Sequence, residues 1–189
     1  MSFKGSPLRS RRGWAVVLLL LAIVTVIAGL PYLVASDDAL RPPLDPQITT
    51  LELPAGRSLA GLKQVEVDEV LDGDTIDVLL DGIKTRIRYF GIDTPERGEK
   101  CYREARDRNE HLIGDTVLLL EDRRNEDEGG RLLRYVFLPD GTSVDATLVA
   151  EGFAEAWRRD GRYRDEIVQL EAEARAAGRG CLWKGAAAN

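Results

Sequence analysis

The stretch Asp72-Gly73-Asp74-Thr75-Ile76-Asp77-Val78-Leu79-Leu80-Asp81-Gly82-Ile83-Lys84-Thr85-Arg86-Ile87-Arg88-Tyr89-Phe90-Gly91-Ile92-Asp93-Thr94-Pro95-Glu96 decides how this chain is read. Ile76, Val78 and Leu80 alternate as the buried face of a strand would, and Asp81-Gly82 supplies a two-residue hairpin turn into a strand over 84–90. In such a hairpin Asp74, just before one strand, and Asp93, just after the other, lie near strand ends. Their carboxylates could then converge on one cation.

Working outward, Val65, Val67 and Val70-Leu71 predict a preceding strand, and the runs 116–121 and 132–138 predict two more, the last closed by the turn Pro139-Asp140-Gly141. A charged helix is expected over 101–113, ending at Gly114. Asp145 reads as the N-cap of a helix over 146–151 with Gly152 as its terminator. Ile167, Leu170, Ala174 and Ala177 form an apolar stripe at helical spacing that Gly178 ends. Short strands separated by turn signals indicate a small closed sheet rather than alternating parallel units. The expectation is an α+β domain: a five-stranded barrel with about three helices.

The polar residues of the opening stretch carry a chemistry. Thr94 precedes Pro95, which disfavours the helical region and holds its peptide extended, so the Thr94 carbonyl becomes a further oxygen ligand beside Asp74 and Asp93. Glu96, across the rigid proline, is placed to handle water rather than a metal. Oxygen ligands completed by water are what calcium accepts, ahead of magnesium or manganese. Arg88 precedes Asp93 by five residues, and Arg131 follows Gly130 on a separate loop. Two permanently charged guanidiniums arriving from different directions suit a phosphoryl transition state. Each piece alone is ordinary: Asp72-Gly73-Asp74-Thr75 is a common turn and Asp93-Thr94-Pro95-Glu96 a capping signal. Asn125-Glu126-Asp127-Glu128 reads as a solvated acidic loop. The single histidine, His111, falls within the charged helix, which excludes most histidine-dependent hydrolysis.

The remainder bounds topology and compartment. Lys4, Arg9, Arg11 and Arg12, with no acids among the first 36 residues, precede an uncharged apolar run over 14–30. That pattern predicts a membrane-spanning signal anchor, or a signal peptide cut after Val34-Ala35-Ser36, with the folded part outside the cytoplasmic membrane at the cell surface or in a periplasm. Residues 37–62, rich in proline, read as a linker, in which 49–53 could form a short strand. The folded domain is expected over 63–184, with a tail at 185–189. Removing the four N-terminal basic residues leaves 22 basic against 32 acidic side chains, a net charge of −10. That balance argues against tight nonspecific nucleic-acid binding. Cys101 and Cys181 either form a disulfide closing a loop of about 80 residues or are two unrelated buried thiols. No cysteine and histidine cluster exists for zinc.

Taken together, Asp-Gly-Asp-Thr at 72–75, Arg88 five residues before Asp93-Thr94-Pro95-Glu96, and Gly130-Arg131 after an acidic turn resemble the staphylococcal-nuclease (thermonuclease) family. The likeness extends from about Val65 to Trp183 and includes Leu148-Val149, Gly152-Phe153-Ala154 and Leu182-Trp183. It implies an OB-fold barrel with three helices and a calcium-dependent endonuclease cleaving DNA and RNA to 3′-phosphate products. By motif position it implies Asp74, Asp93 and the Thr94 carbonyl as metal ligands, Asp72 as a nearby acid, Glu96 acting on the attacking water, and Arg88 and Arg131 on the phosphate. The chain departs from the family pattern at Gly129, where a tyrosine is usual, and at Arg158, Arg159 and Asp160, where nucleotide-contacting tyrosines stand; Tyr163 is the available substitute. The alternatives are an inactive OB-fold module binding nucleic acid or protein at the membrane, and a structural calcium-binding envelope protein. The chain is expected to act as a monomer.

Overall fold

The computed structural model describes residues 50–185. The expected signal segment, the linker up to residue 49 and the last four residues lie outside the described residues. Among the described residues no helix is long and apolar enough to cross a membrane.

Five strands close into a barrel in the order β1-β2-β3-β6-β5, with β5 returning to β1. These are β1 (Lys63–Val70), β2 (Thr75–Leu80), β3 (Ile83–Tyr89), β5 (Thr116–Leu120) and β6 (Leu132–Phe137). All neighbours are antiparallel except β3 and β6, which run parallel. The hairpin between β2 and β3 has the register its turn demands. Leu80 faces Ile83, and Asp81 and Gly82 between them have φ of 52° and 80°, the left-handed pair that lets a two-residue loop follow strand twist. Inward residues alternate as anticipated: Ile76, Val78, Ile87, Tyr89, Val117, Tyr135 and Phe137 are each no more than 1% exposed. The sequence-predicted α+β OB-type barrel is the observed one.

Two further strands, β4 (Ile92–Asp93) and β7 (Glu155–Ala156), pair with each other outside the barrel. The helices are α1 (Tyr102–Leu112), α2 (Val144–Ala150), α3 (Arg164–Ala176) and the short α4 (Gly180–Trp183). Helix α1 buries only Ala105 and Asn109, four residues apart on one narrow face, which is why its sequence is so polar. Every residue of α2 is buried. The structure moves its cap: Ser143, not Asp145, is the N-cap, its Oγ accepting from Ala146 N at 3.2 Å. Asp145 lies one residue inside the helix and is fully buried. The stretch 50–62 lies against the domain, with Leu51 and Leu62 buried and the Tyr163 hydroxyl donating to the Glu52 carbonyl at 2.7 Å. Residues 50–53 form no strand. Cys101 and Cys181 are joined in a disulfide, Cα atoms 5.6 Å apart, tying the start of α1 to α4.

Candidate active site

The loop between β1 and β2 is pressed against its neighbours by a glycine. A Cβ on Gly73 would stand 2.8–2.9 Å from Thr94 Cγ2, Thr94 Cβ and Ala105 Cβ, closer than side-chain carbons tolerate. Only glycine lets this turn meet both the 93–94 segment and α1. Polar contacts hold the same junction. Asn109 Nδ2 donates to the Asp72 carbonyl at 3.0 Å, and the Tyr89 hydroxyl donates to Asn109 Oδ1 at 2.9 Å. The Asp72 side chain accepts from the Asp74 N–H at 3.2 Å and closes the turn.

Asp74 is 5% exposed and takes several partners. Its Oδ2 accepts from the Thr94 N–H at 2.7 Å and the Thr94 hydroxyl at 2.8 Å, and its Oδ1 accepts from the Thr75 hydroxyl at 3.0 Å. Burial pushes its carboxyl up to about 6. The guanidinium of Arg88 opposes this, while the charge of Asp72 adds to it. Because the hairpin register pairs Thr75 with Arg88, that guanidinium is delivered beside Asp74.

Arg88 spans the two acids. Its Nη1 lies 3.0 Å from Asp74 Oδ2 and donates to the Ile92 and Tyr89 carbonyls at 2.9 and 3.1 Å. Its Nη2 donates to Asp93 Oδ1 at 2.6 Å. The Arg88 side chain is 12% exposed and that of Asp93 59%, so the pair opens to solvent on the Asp93 side. Two carboxylates meeting on one guanidinium, with a third at Asp72, leave a net negative charge made wholly of hard oxygen donors. That donor set fits a divalent cation of the calcium type with waters completing its shell. Among the described residues no group of three or more Asp, Glu, His or Cys side chains is gathered closely enough to hold a metal ion.

The other two candidate residues stand apart from this cluster. Glu96 is exposed on the loop leading to α1; its N–H donates to Glu99 Oε2 at 2.8 Å, and its carboxylate forms no hydrogen bond or ion pair among the described residues. Arg131 sits one residue before β6, on the strand beside β3, where Arg88 is paired with Leu133. Among the described residues it makes no hydrogen bond or ion pair with Asp74, Arg88 or Asp93 and is bound instead to Asp127. Asp127 Oδ2 accepts from Arg131 Nε at 2.5 Å, and its Oδ1 accepts from the N–H groups of Arg131 and Gly129, each at 2.9 Å. Burial pushes the Asp127 carboxyl up, but these bonds outweigh it and hold the group below its ordinary value. The solvated acidic loop of the sequence reading therefore contains a largely covered, engaged carboxylate. The spacing Asp127-Glu128-Gly129-Gly130-Arg131, a turn just long enough to fold the arginine back onto the acid, was the available signal. Asn109 was the other residue that sequence pattern did not single out. His111 is as bland as expected, its Nδ1 donating to the Asp107 carbonyl at 3.0 Å within α1.

Comparison with known proteins agrees with this geometry. Residues 86–185 match the family model for staphylococcal nuclease homologues. The chain is 37% identical over 135 residues to "Endonuclease YncB" of Bacillus subtilis (strain 168), covering 65% of this chain and 63% of that protein. It is 39% identical over 127 residues to "SPbeta prophage-derived endonuclease YokF" of the same organism, covering 60% and 42%. It is 35% identical over 129 residues to "Thermonuclease" of Staphylococcus hyicus, covering 64% and 76%. The match thus spans less than two thirds of either Bacillus protein. A closed five-stranded barrel, an arginine bridging two converging aspartates, and a family match over more than half of its residues place this chain in the staphylococcal nuclease family.

Proposed function

We propose that this chain is a calcium-dependent endonuclease that hydrolyses DNA or RNA outside the cytoplasm and leaves 3′-phosphate ends. The observation that carries the reading is the meeting of Asp74 and Asp93 on the Arg88 guanidinium, at 3.0 and 2.6 Å, in a chain of this family. Relatives named endonuclease and thermonuclease support the reaction class.

Asp74, Asp93 and the Thr94 carbonyl would hold the cation. When bound, calcium supplies charge that polarises the phosphate and stabilises its transition state. Arg88 and Arg131 bind the non-bridging phosphate oxygens and take up the charge that develops there. Glu96, exposed and free of protein partners among the described residues, takes a proton from the attacking water as its oxygen bonds to phosphorus. The bond from phosphorus to the 5′ oxygen breaks, and the departing oxygen is protonated from solvent. The buried polar contacts of Asp74 with Thr94 fix one acid rigidly, while the exposed Asp93 leaves an open side for substrate.

Location is supported by the apolar run over 14–30 behind four basic residues, and by the disulfide, which persists in oxidising compartments. The protein would stand on the outer side of the cytoplasmic membrane, anchored or released, acting as a monomer.

The test uses the full-length chain in mild detergent, with plasmid DNA and with RNA, in calcium, magnesium or EDTA, and with Glu96→Ser alongside. At least one of the two polymers should be degraded in calcium and neither in EDTA. Glu96→Ser should lose about 10²–10⁴-fold in rate, the range typical of a lost general base. A folded chain that binds calcium yet cuts neither polymer overturns the reading in favour of a binding module.

A further inference from the structure

Arg131 is held differently from three other arginines that grip acids in this protein. Arg86 on Asp77, Arg108 on Glu151 and Arg124 on Asp160 each use Nε and Nη2 together, so the planar fork is committed to its carboxylate. Arg131 gives Asp127 only its Nε, at 2.5 Å. Among the described residues its two Nη groups have no hydrogen-bond partner, and the side chain is 42% exposed, whereas the Asp127 side chain is 14% exposed. The acid is covered and fixed, and the guanidinium's outer edge is presented to solvent.

The acid is itself fixed by the turn it closes. The Asp127 N–H donates to the Arg131 carbonyl at 3.1 Å, the Gly130 N–H donates to the Asp127 carbonyl at 3.1 Å, and Oδ1 accepts from Gly129 and Arg131. Gly130, at φ 79°, lets the chain reverse so tightly. A flexible side chain with about 2 kcal/mol of rotamer entropy is thereby reduced to one orientation before any substrate arrives.

We propose that Asp127 is a positioning residue for the nuclease reaction: it anchors Arg131 through Nε so that both Nη groups face the phosphate. This rests on the proposed endonuclease reading. Asp127 touches neither substrate nor the reacting atoms and acts only through Arg131.

The test is a double-mutant cycle on the full-length chain. In Asp127→Asn the amide oxygen can still accept from Gly129 and Arg131 N–H, so the turn survives while the charged bond to Nε is lost. The expected result is a fall in kcat of about tenfold or more with KM changed less than threefold. In an Arg131→Lys background, which has no Nε of this kind, Asp127→Asn should have no further effect on kcat. An equal loss in both backgrounds overturns the proposal, because Asp127 would then act on the fold or elsewhere in the site; so does full activity of Asp127→Asn. A readout independent of activity is the Arg131 Nε–H resonance. It should exchange slowly with solvent in the wild type and at least tenfold faster in Asp127→Asn, and rapid exchange in the wild type overturns the proposal. Should the wild type cut no nucleic acid, the endonuclease reading falls, and the Asp127 anchor is judged by that exchange alone.

Discussion

Replacing Asp145 by asparagine should make the protein more stable at pH 8 and less stable at pH 4. Asp145 is fully buried in α2; its Oδ2 accepts from the Val136 N–H at 2.8 Å, and its Oδ1 has no hydrogen-bond partner. Burial pushes its carboxyl from 3.8 up to about 7. The folded protein therefore binds this proton more tightly than the unfolded chain. Below 3.8 both states are protonated and the group has no pH-dependent cost. Between 3.8 and about 7 the unfolded chain ionises first, so stability falls as pH rises, and above 7 the full cost is present. At about 1.4 kcal/mol per pH unit, that span corresponds to roughly 4 kcal/mol. Asparagine keeps an oxygen for Val136 but sets an amide where Oδ1 finds no partner, which costs about 1–3 kcal/mol. The net effect is a gain of about 1–3 kcal/mol at pH 8 and a loss of similar size at pH 4. Urea unfolding of both proteins at pH 4, 6 and 8 measures it, and the titration of Asp74, present in both, largely cancels in the difference. A stability difference that stays flat across these pH values would refute the argument that burial raises the Asp145 carboxyl well above its ordinary value.

Gly73→Ala should cost about 1–3 kcal/mol, because its Cβ would meet Thr94 and Ala105 at 2.8–2.9 Å and the loop must shift. Since that shift pulls Asp74 from Thr94, calcium-dependent cleavage should fall more than stability does, and an alanine variant of unchanged activity counts against the close apposition. The double variant Cys101→Ser, Cys181→Ser should lose about 2–4 kcal/mol in urea unfolding. Reducing the wild type should reproduce the same loss, and a wild type indifferent to reductant would mean the disulfide contributes nothing. Arg88→Gly should abolish cleavage while leaving Asp74 and Asp93 without their shared counter-charge. The variant should also bind calcium no more weakly than the wild type in isothermal titration, and weaker binding would show that Arg88 supports the cation site rather than competing with it.

The hairpin was legible because its turn is local. Asp81-Gly82 fixes the register, the register pairs Thr75 with Arg88, and this carries Arg88 to Asp74 without any distant contact. The strands on either side were legible from alternation for the same reason. What escaped was set by distant packing. β7 is two residues long and exists because Asp93 pairs with Glu155, sixty-two positions away along the chain. Asp145 has the composition of a cap, yet burial against Val136 decided its place, and Ser143 two residues earlier took the capping role. Asp74, Arg88, Asp93 and Thr94 lie together, with Thr94 meeting Asp74 through its N–H and hydroxyl where the sequence pattern assigns it a carbonyl ligand. Glu96 and Arg131 were foreseen in the same chemistry but are held on separate loops, because each answers first to a local partner: the Glu99 carboxylate for the Glu96 N–H, Asp127 for Arg131. Asp127 itself was invisible because an acid in a run of acids looks solvated until the fold covers it.

The bond between Cys101 and Cys181 also turns most of the domain into a covalent ring. Every strand from β5 to β7, and both α2 and α3, lie inside that ring, as does the loop carrying Asp127 and Arg131. A protease that clips this exposed loop opens the ring but releases nothing, since the two pieces remain joined through sulfur. For a protein proposed to work outside the cytoplasm, such a nick is damage that the molecule can carry without falling apart, and it would come to light only on a reducing gel.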